Sequence, residues 1–409
     1  MSSRRHLAKA LAITLAVIGG LMVTGRLLAQ PADYVVHEWG TFTSVSGSDG
    51  VRLPGVQHEE ETLPSFVEEM DGLCRYMEDC GKGYGRPLHN VTVKLETPVL
   101  YFYSDTARHA SVSVGFKGGS ISQWYPQRSG GETPPELKRD DDGNIVSGGI
   151  DFAQGYHGAI RWDVDVLPPG AYSPATVLDG DETPAWIYPR LTDSNLVTTA
   201  DGRHEKYLFY RGVGNFDLPL TFQMPADGTL RIRNSGTDRV PFLLVYDRPE
   251  PTYREDGTVA TDEARFLAIP GLDGGAAIEV NNQDLEHPAN WQQPVFESVE
   301  GALESAGLYP KEAEAMVQTW WRSYFKTPGR RVFWIVPRAF TDQTLPLSLD
   351  PTPKNIVRVM VGRSELLTPS FESQLLDEYR EAEDKSDFRS GDRFGPAYAA
   401  RMEALEAAK

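Results

Sequence analysis

Three adjacent residues in the stretch VVHEWGTFTSV, positions 35–45, could do chemistry: His37, Glu38 and Trp39. A histidine moves protons or ligates metal near neutral pH. A carboxyl serves as acid, base or nucleophile, and an indole stacks on a sugar ring or a cation. A second acid, Glu96, lies inside another β-prone run, KLETPVLYFY. Two carboxyls about 5–5.5 Å apart, one as nucleophile and one as acid/base, would make a retaining glycosidase, so Glu38 and Glu96 are the candidate catalytic pair. His37 with His58 and Glu59 of VQHEEETLP would instead make a carboxylate-assisted metal site.

These groups also have plain readings. On a strand, His37, Trp39 and Thr41 share one face, while Val36, Glu38, Gly40 and Phe42 share the other. Glu38 then sits among apolar neighbours and must be paired, hydrogen-bonded or protonated, because an unpaired buried charge costs several kcal/mol. Arg161, Arg338, Arg358 and Arg363 lie in strand-like runs and could pair with it. Trp39, Trp124, Tyr125, Trp162 and Trp186 are the aromatic residues that could hold sugar rings at sandwich loops, with core packing as the alternative.

Other chemistries lack their signatures. There is no phosphate-binding G-x-x-x-x-G-K-[ST] loop, no G-x-G-x-x-G, no H-E-x-x-H and no G-x-S-x-G. KRDDDGN (138–144) places Lys138 and Gly149 where a calcium loop needs carboxylates, so an acidic turn is expected. A net charge of −18 repels phosphate backbones and excludes nucleic acid as a natural partner. No cofactor is implied. Cys74 and Cys80, the two cysteines of the chain, are close enough in sequence to form a disulfide in an oxidising compartment.

Residues 1–30 have the layout of an export signal: Arg4, Arg5 and Lys9, then an uncharged stretch from Ala10 to Gly25. SRRHLAK also resembles a twin-arginine signal. Cleavage after Ala29 would place Leu27 where a small residue is preferred, so the segment could also remain as an N-terminal anchor, its one contact with a membrane. An exported, periplasmic or extracellular protein is expected.

These residues must be positioned by a mainly β framework of sandwich-like antiparallel sheets, followed by an α+β C-terminal region. Residues 31–285 read as short β-branched and aromatic strands broken by turns, with 206–247 resembling one antiparallel meander. The polar run 127–150 reads as a long loop or mobile insertion. Over 286–409 the period changes. Ala313, Met316, Val317, Trp320 and Trp321 recur at helical spacing, 329–340 and 355–366 read as strands, and 369–384 reads as a helix. The two regions could be separate domains or one packed unit.

HEWGTFTSV and LETPVLYFYS, with WIVPRAFTDQTLPL and VRVMVGRSELLTP near the C-terminus, resemble a set of exported bacterial proteins that share this opening. The resemblance implies export and a shared architecture and supplies no reaction and no catalytic residues. The expectation is a cell-envelope protein with a binding or structural role, its contact being glycan or another envelope component. The alternative is an exported hydrolase, carboxylate-based or metal-dependent.

Overall fold

The computed structural model describes residues 33–60, 63–71, 82–171, 184–254, 256–257, 259–385 and 388–408. Residues 1–30, read above as an export signal, and the Cys74–Cys80 pair lie outside the described residues. The principal strands in the first half are β1 (Tyr34–Ser46), β2 (Val93–Ser104), β3 (Arg108–Lys117), β4 (Gly119–Tyr125) and β5 (His157–Val166). Then come β6 (Leu208–Gly214), β7 (Leu220–Gln223), β8 (Leu230–Asn234), β9 (Leu243–Arg248), β10 (Arg265–Ile269) and β11 (Ala277–Val280). Helices α1 (Gln292–Ser305) and α2 (Pro310–Trp320) precede β12 (Gly329–Ile335), α3 (Arg338–Thr344), β13 (Leu347–Asp350) and β14 (Asn355–Leu366). Helices α4 (Pro369–Glu381) and α5 (Gly395–Ala407) close the chain.

β1 is β-branched and aromatic almost throughout, and it stands in the middle of a nine-stranded sheet, where both of its faces are covered. All thirteen of its residues are buried. The sheet runs from a short edge strand, Glu68–Glu69, through β4, β6, β2, β1, β14, β12 and β9 to β10. β1 pairs antiparallel with β2 and parallel with β14, in a continuous register from Val35 opposite Asn355 to Ser46 opposite Leu366. The described residues also form a six-stranded sheet that contains β5 and β3 with β13 at one edge, a three-stranded sheet of β7, β8 and β11, and three two-stranded ones.

One face of the large sheet, carrying Val36, Phe42, Leu100 and Tyr210, packs on Val112, Ile160 and Trp162 of the second sheet and Ile232 of the third. This is sheet-on-sheet packing. The other face, with Val35, Trp39, Tyr101 and Phe333, is covered by Val295, Met316, Val317 and Trp320 of α1 and α2. Helices α4 and α5 close one end over Val45, Leu53 and Val213. The molecule is mainly β, with sandwiched sheets and C-terminal helices.

Several elements differ from their sequence reading. The 206–247 run is not one meander: β6 and β9 stand in the large sheet, while β7 and β8 form a hairpin joined to β11. The 329–340 strand stops at Ile335, because Pro337 caps α3. The 127–150 run is fastened by backbone bonds from Ser129 to Arg161 and from Glu132 to Ala159. β12 and β14, which follow residue 285, stand inside the same sheet as β1, so the two regions share a core.

Candidate functional site

Alternation along β1 sends Glu38 and its neighbour His37 to opposite faces, and each is fully engaged there. Glu38, 0% exposed, accepts from Tyr210 Oη at 2.6 Å and from Arg358 Nε at 2.5 Å. The parallel register sets Arg358 directly beside Glu38, which makes this pair a product of strand pairing. Of the four arginines read as possible partners, Arg358 is the one that pairs. Burial and the nearby Glu38 charge push the Tyr210 hydroxyl well above the usual tyrosine range, so it stays a donor.

On the helix side, His37 Nδ1 lies 2.7 Å from Glu312 Oε2 at the start of α2. The same carboxylate accepts from Tyr103 Oη at 2.8 Å and from the Tyr309 backbone N–H at 2.8 Å. His37 also packs on the rings of Tyr103 and Tyr309, with centroids 5.3 and 4.4 Å away. Trp39 meets Trp320 edge to face. Three consecutive residues thus fasten β1 to two layers.

Glu96 sits in a larger network. Its carboxylate contacts Lys82 Nζ at 2.7 Å, Arg211 Nη2 at 2.9 Å and Lys94 Nζ at 3.6 Å. Arg211 also holds Glu59, while Lys94 and Arg363 share Glu60, and Arg363 and Arg331 share Glu365. Arg393 adds looser contacts to Glu60 and Glu365. Burial alone would raise the Glu96 carboxyl, but Lys82, Arg211 and Lys94 outweigh it and hold it at about 2. Burial first, then the Arg211 charge, push the Lys82 ammonium down to about 8. The backbone is irregular at the same place. Thr97 has φ +48° and Lys82 φ +49°, the ladders of β1 with β2 and of β6 with β2 and β4 are bulged, and a π-helical turn spans Trp321–Phe325. Strain in non-glycine residues and bulges of this kind re-aim side chains and gather at functional centres.

Three sequence expectations are corrected here. Glu38 points toward Tyr210 in the sheet-on-sheet core, whereas Glu96, which stands opposite Thr41 in the ladder, points to the helix side with Arg211 and Tyr324. The two carboxyls lie on opposite faces of the sheet and do not flank one glycosidic bond. His37, His58 and Glu59 are not brought together either: His37 meets Glu312, Glu59 meets Arg211, and His58 gives its backbone carbonyl to Lys94. No group of three His, Cys, Asp or Glu suited to a metal occurs among the described residues. Finally, Trp39, Trp124, Tyr125, Trp162 and Trp186 are each no more than 5% exposed. Trp186 packs on Phe209 and Trp162 Nε1 donates to the Pro126 carbonyl, so these rings are core and loop anchors, not a sugar platform.

The structure adds two features with no sequence motif. An open cleft of about 380 Å³ lies over the β12–α3 junction, lined by Arg239, Arg338 and Arg358 with Pro241, Val336 and Pro337. Arg358 Nη2 is buried and makes no hydrogen bond. Glu132, in the polar 127–150 run, accepts from Ser120 Oγ at 2.9 Å and from the Ile121 N–H at 2.5 Å. Its burial pushes the carboxyl up to about 7. Neither has a periodic or spacing signal, because both depend on residues far apart in the chain.

No family model matches the chain, and no curated protein matches it. Among solved structures, the yeast delta-COP-I mu-homology domain is similar at 7% identity and a TM-score of 0.28, over 82% of this chain and 98% of that one. The same domain complexed with a Dsl1 WxWxV peptide gives 8% identity and a TM-score of 0.27 over the same shares. The Fcho1 mu homology domain of Danio rerio with a bound Eps15 peptide gives 8% and 0.26 over 83% and 100%. Scores this low carry no functional argument.

Proposed function

We propose that the chain is an exported cell-envelope protein with a binding role, in which the His37-Glu38-Trp39 stretch is a structural lock and the cleft over Arg358 receives the ligand. The observation that supports this most is the full engagement of every group the sequence offered for catalysis. His37, Glu38 and Glu96 are buried and tied to Glu312, Arg358 and a three-cation cluster. None is left to meet a substrate.

The cleft favours a ligand that carries carboxylates. Its rim arginines pair with exposed carboxylates, Arg239 with Asp273 and Arg338 with Asp342, and each gives a further donor to a backbone carbonyl, of Pro270 and Ile356; exposed pairs of that kind contribute about 0–1 kcal/mol and exchange readily. The buried Nη2 of Arg358 is a donor in want of an acceptor. None of the residues lining the cleft is aromatic, so a glycan ligand would have to be an acidic one. Export rests on the first 30 residues and on the resemblance to exported proteins.

A thermal-shift screen of the full chain against citrate, an acidic oligosaccharide and a neutral oligosaccharide tests this reading. Saturable stabilisation by the acidic probes, lost in the Arg239→Ala/Arg338→Ala double variant, is expected. Equal stabilisation by the neutral sugar, or acidic-probe binding that survives the double variant, would remove the cleft as the ligand site.

A further inference from the structure

Arg358 serves two carboxylates of unlike freedom. Its Nε meets Glu38 Oε2 at 2.5 Å in the sheet-on-sheet core, and its Nη1 meets Asp342 Oδ1 of α3 at 2.8 Å. Glu38 is fully buried and held by strand register, whereas the Asp342 side chain is 46% exposed. One turn before Asp342 on the same helix, Arg338 brings its Nε to Asp342 Oδ2 at 2.8 Å. The two oxygens of Asp342 are thus divided between two arginines that line the cleft. Each guanidinium has a second anchor: Arg338 Nη1 donates to the Ile356 carbonyl at 2.7 Å, and Arg358 is held by Glu38.

A carboxylate shared by two guanidiniums is the contact that such a cleft offers to a ligand's carboxylate, and here the chain makes it with its own side chain. The half-exposed Asp342 loses little by leaving, because water solvates it on the surface of α3 and exposed pairs are weak. The deeper partner is the one that cannot be left bare: the Arg358 side chain is 1% exposed and its Nη2 already lacks an acceptor. Exchange of one carboxylate for another meets both conditions.

We propose that Asp342 is a built-in competitor for the cleft, its carboxylate occupying the seat between Arg338 and Arg358 until a ligand's carboxylate displaces it. The inference rests on the cleft being the ligand site, and adds where the ligand's carboxylate sits and how access to it is regulated. Displacement turns Asp342 outward and leaves Glu38 paired, so binding does not disturb the core. Apparent affinity falls with the fraction of chains whose seat is free, and a free fraction of about one tenth weakens binding about tenfold.

Calorimetric titration of the full chain with citrate, at pH 7 and constant ionic strength, tests this in the wild type, Asp342→Asn and Asp238→Asn. Asp342→Asn keeps the side-chain shape at a half-exposed position, so it is expected to fold, and to bind citrate at least tenfold more tightly. Asp238→Asn takes the same charge from another residue lining the cleft but leaves the seat occupied, and a change of less than threefold is expected. Wild-type binding that is unchanged or weakened in Asp342→Asn overturns the competitor while leaving the cleft as the ligand site. An equal gain in both variants also overturns it, because the overall charge and not the seat then sets affinity. No binding of citrate to any of the three chains removes the ligand reading and this inference together.

Discussion

Glu38 and Glu96 are both buried carboxylates on neighbouring central strands, yet they are solved in opposite ways. Glu38 has one arginine and one tyrosine, delivered by a regular parallel ladder. Glu96 has three cations around it, bulged ladders on either side and a positive φ at the next residue. The regular pair fixes register, while Arg358 also reaches Asp342 through Nη1 and keeps Nη2 without a hydrogen bond. The Glu96 carboxylate is held by several cations at once, so no single partner fixes it.

The comparison breaks most visibly at the regular pair. Arg358→Ala leaves Glu38 buried without its counter-ion, and a loss of about 3–5 kcal/mol is expected in denaturant unfolding. Arg358→Met combined with Glu38→Leu should recover most of it, because a buried pair replaced by apolar groups is often neutral. If the single variant is as stable as the wild type, Glu38 is not the lock described above. His37→Ala removes one charge-assisted bond to Glu312 but leaves those from Tyr103 and Tyr309, so a smaller loss of about 2 kcal/mol is expected.

The Glu96 cluster should respond to pH through Lys82. The Lys82 ammonium titrates at about 8 when folded and above 10 when unfolded, so the unfolded chain holds the extra proton between those values. Stability from this group is lowest below pH 8 and rises as pH climbs from 8 toward 10.5. Urea midpoints that climb over this window in the wild type and stay flat in Lys82→Met would sharpen the contrast. The smallest effect is expected at Glu132. Its folded carboxyl titrates near 7, above the usual value of about 4.3, so its contribution is complete below pH 4 and is lost as pH rises through 7. Amide exchange of residues 129–135, corrected for intrinsic rate, should speed up between pH 6 and pH 8.5, and Glu132→Gln should remove that dependence.

Much of the framework was legible locally. Alternation along 35–45 correctly separated His37, Trp39 and Thr41 from Val36, Glu38 and Phe42, and the apolar run at 355–366 corresponds to β14 residue for residue. The plain reading of Glu38 as half of a buried arginine pair also held, because an acid between apolar neighbours has few physical outcomes. What stayed hidden depends on register between distant strands. Glu312 lies in a helix 275 residues from His37, and no pattern around either residue announces the other. The aromatic loop residues misled for a related reason. Trp124 and Trp162 lie within β4 and β5 with their rings in the sheet-on-sheet core, and Trp186 packs on Phe209, so proximity to a turn in the sequence did not mean exposure.

The parallel pairing of β1 with β14 also sets an order of assembly. Residue 34 begins the strand at the centre of the large sheet, but the neighbour along one of its edges is not synthesised until residues 355–366 emerge. Every β1–β14 contact closes a loop of about 320 residues, so the sheet cannot be completed until Leu366 has been made, and folding is expected to be slow. Until then β1 presents an open, apolar edge suited to strand addition by another chain. A chain ending before residue 355 would keep that edge permanently, and aggregation rather than partial function is the expected fate of such truncations.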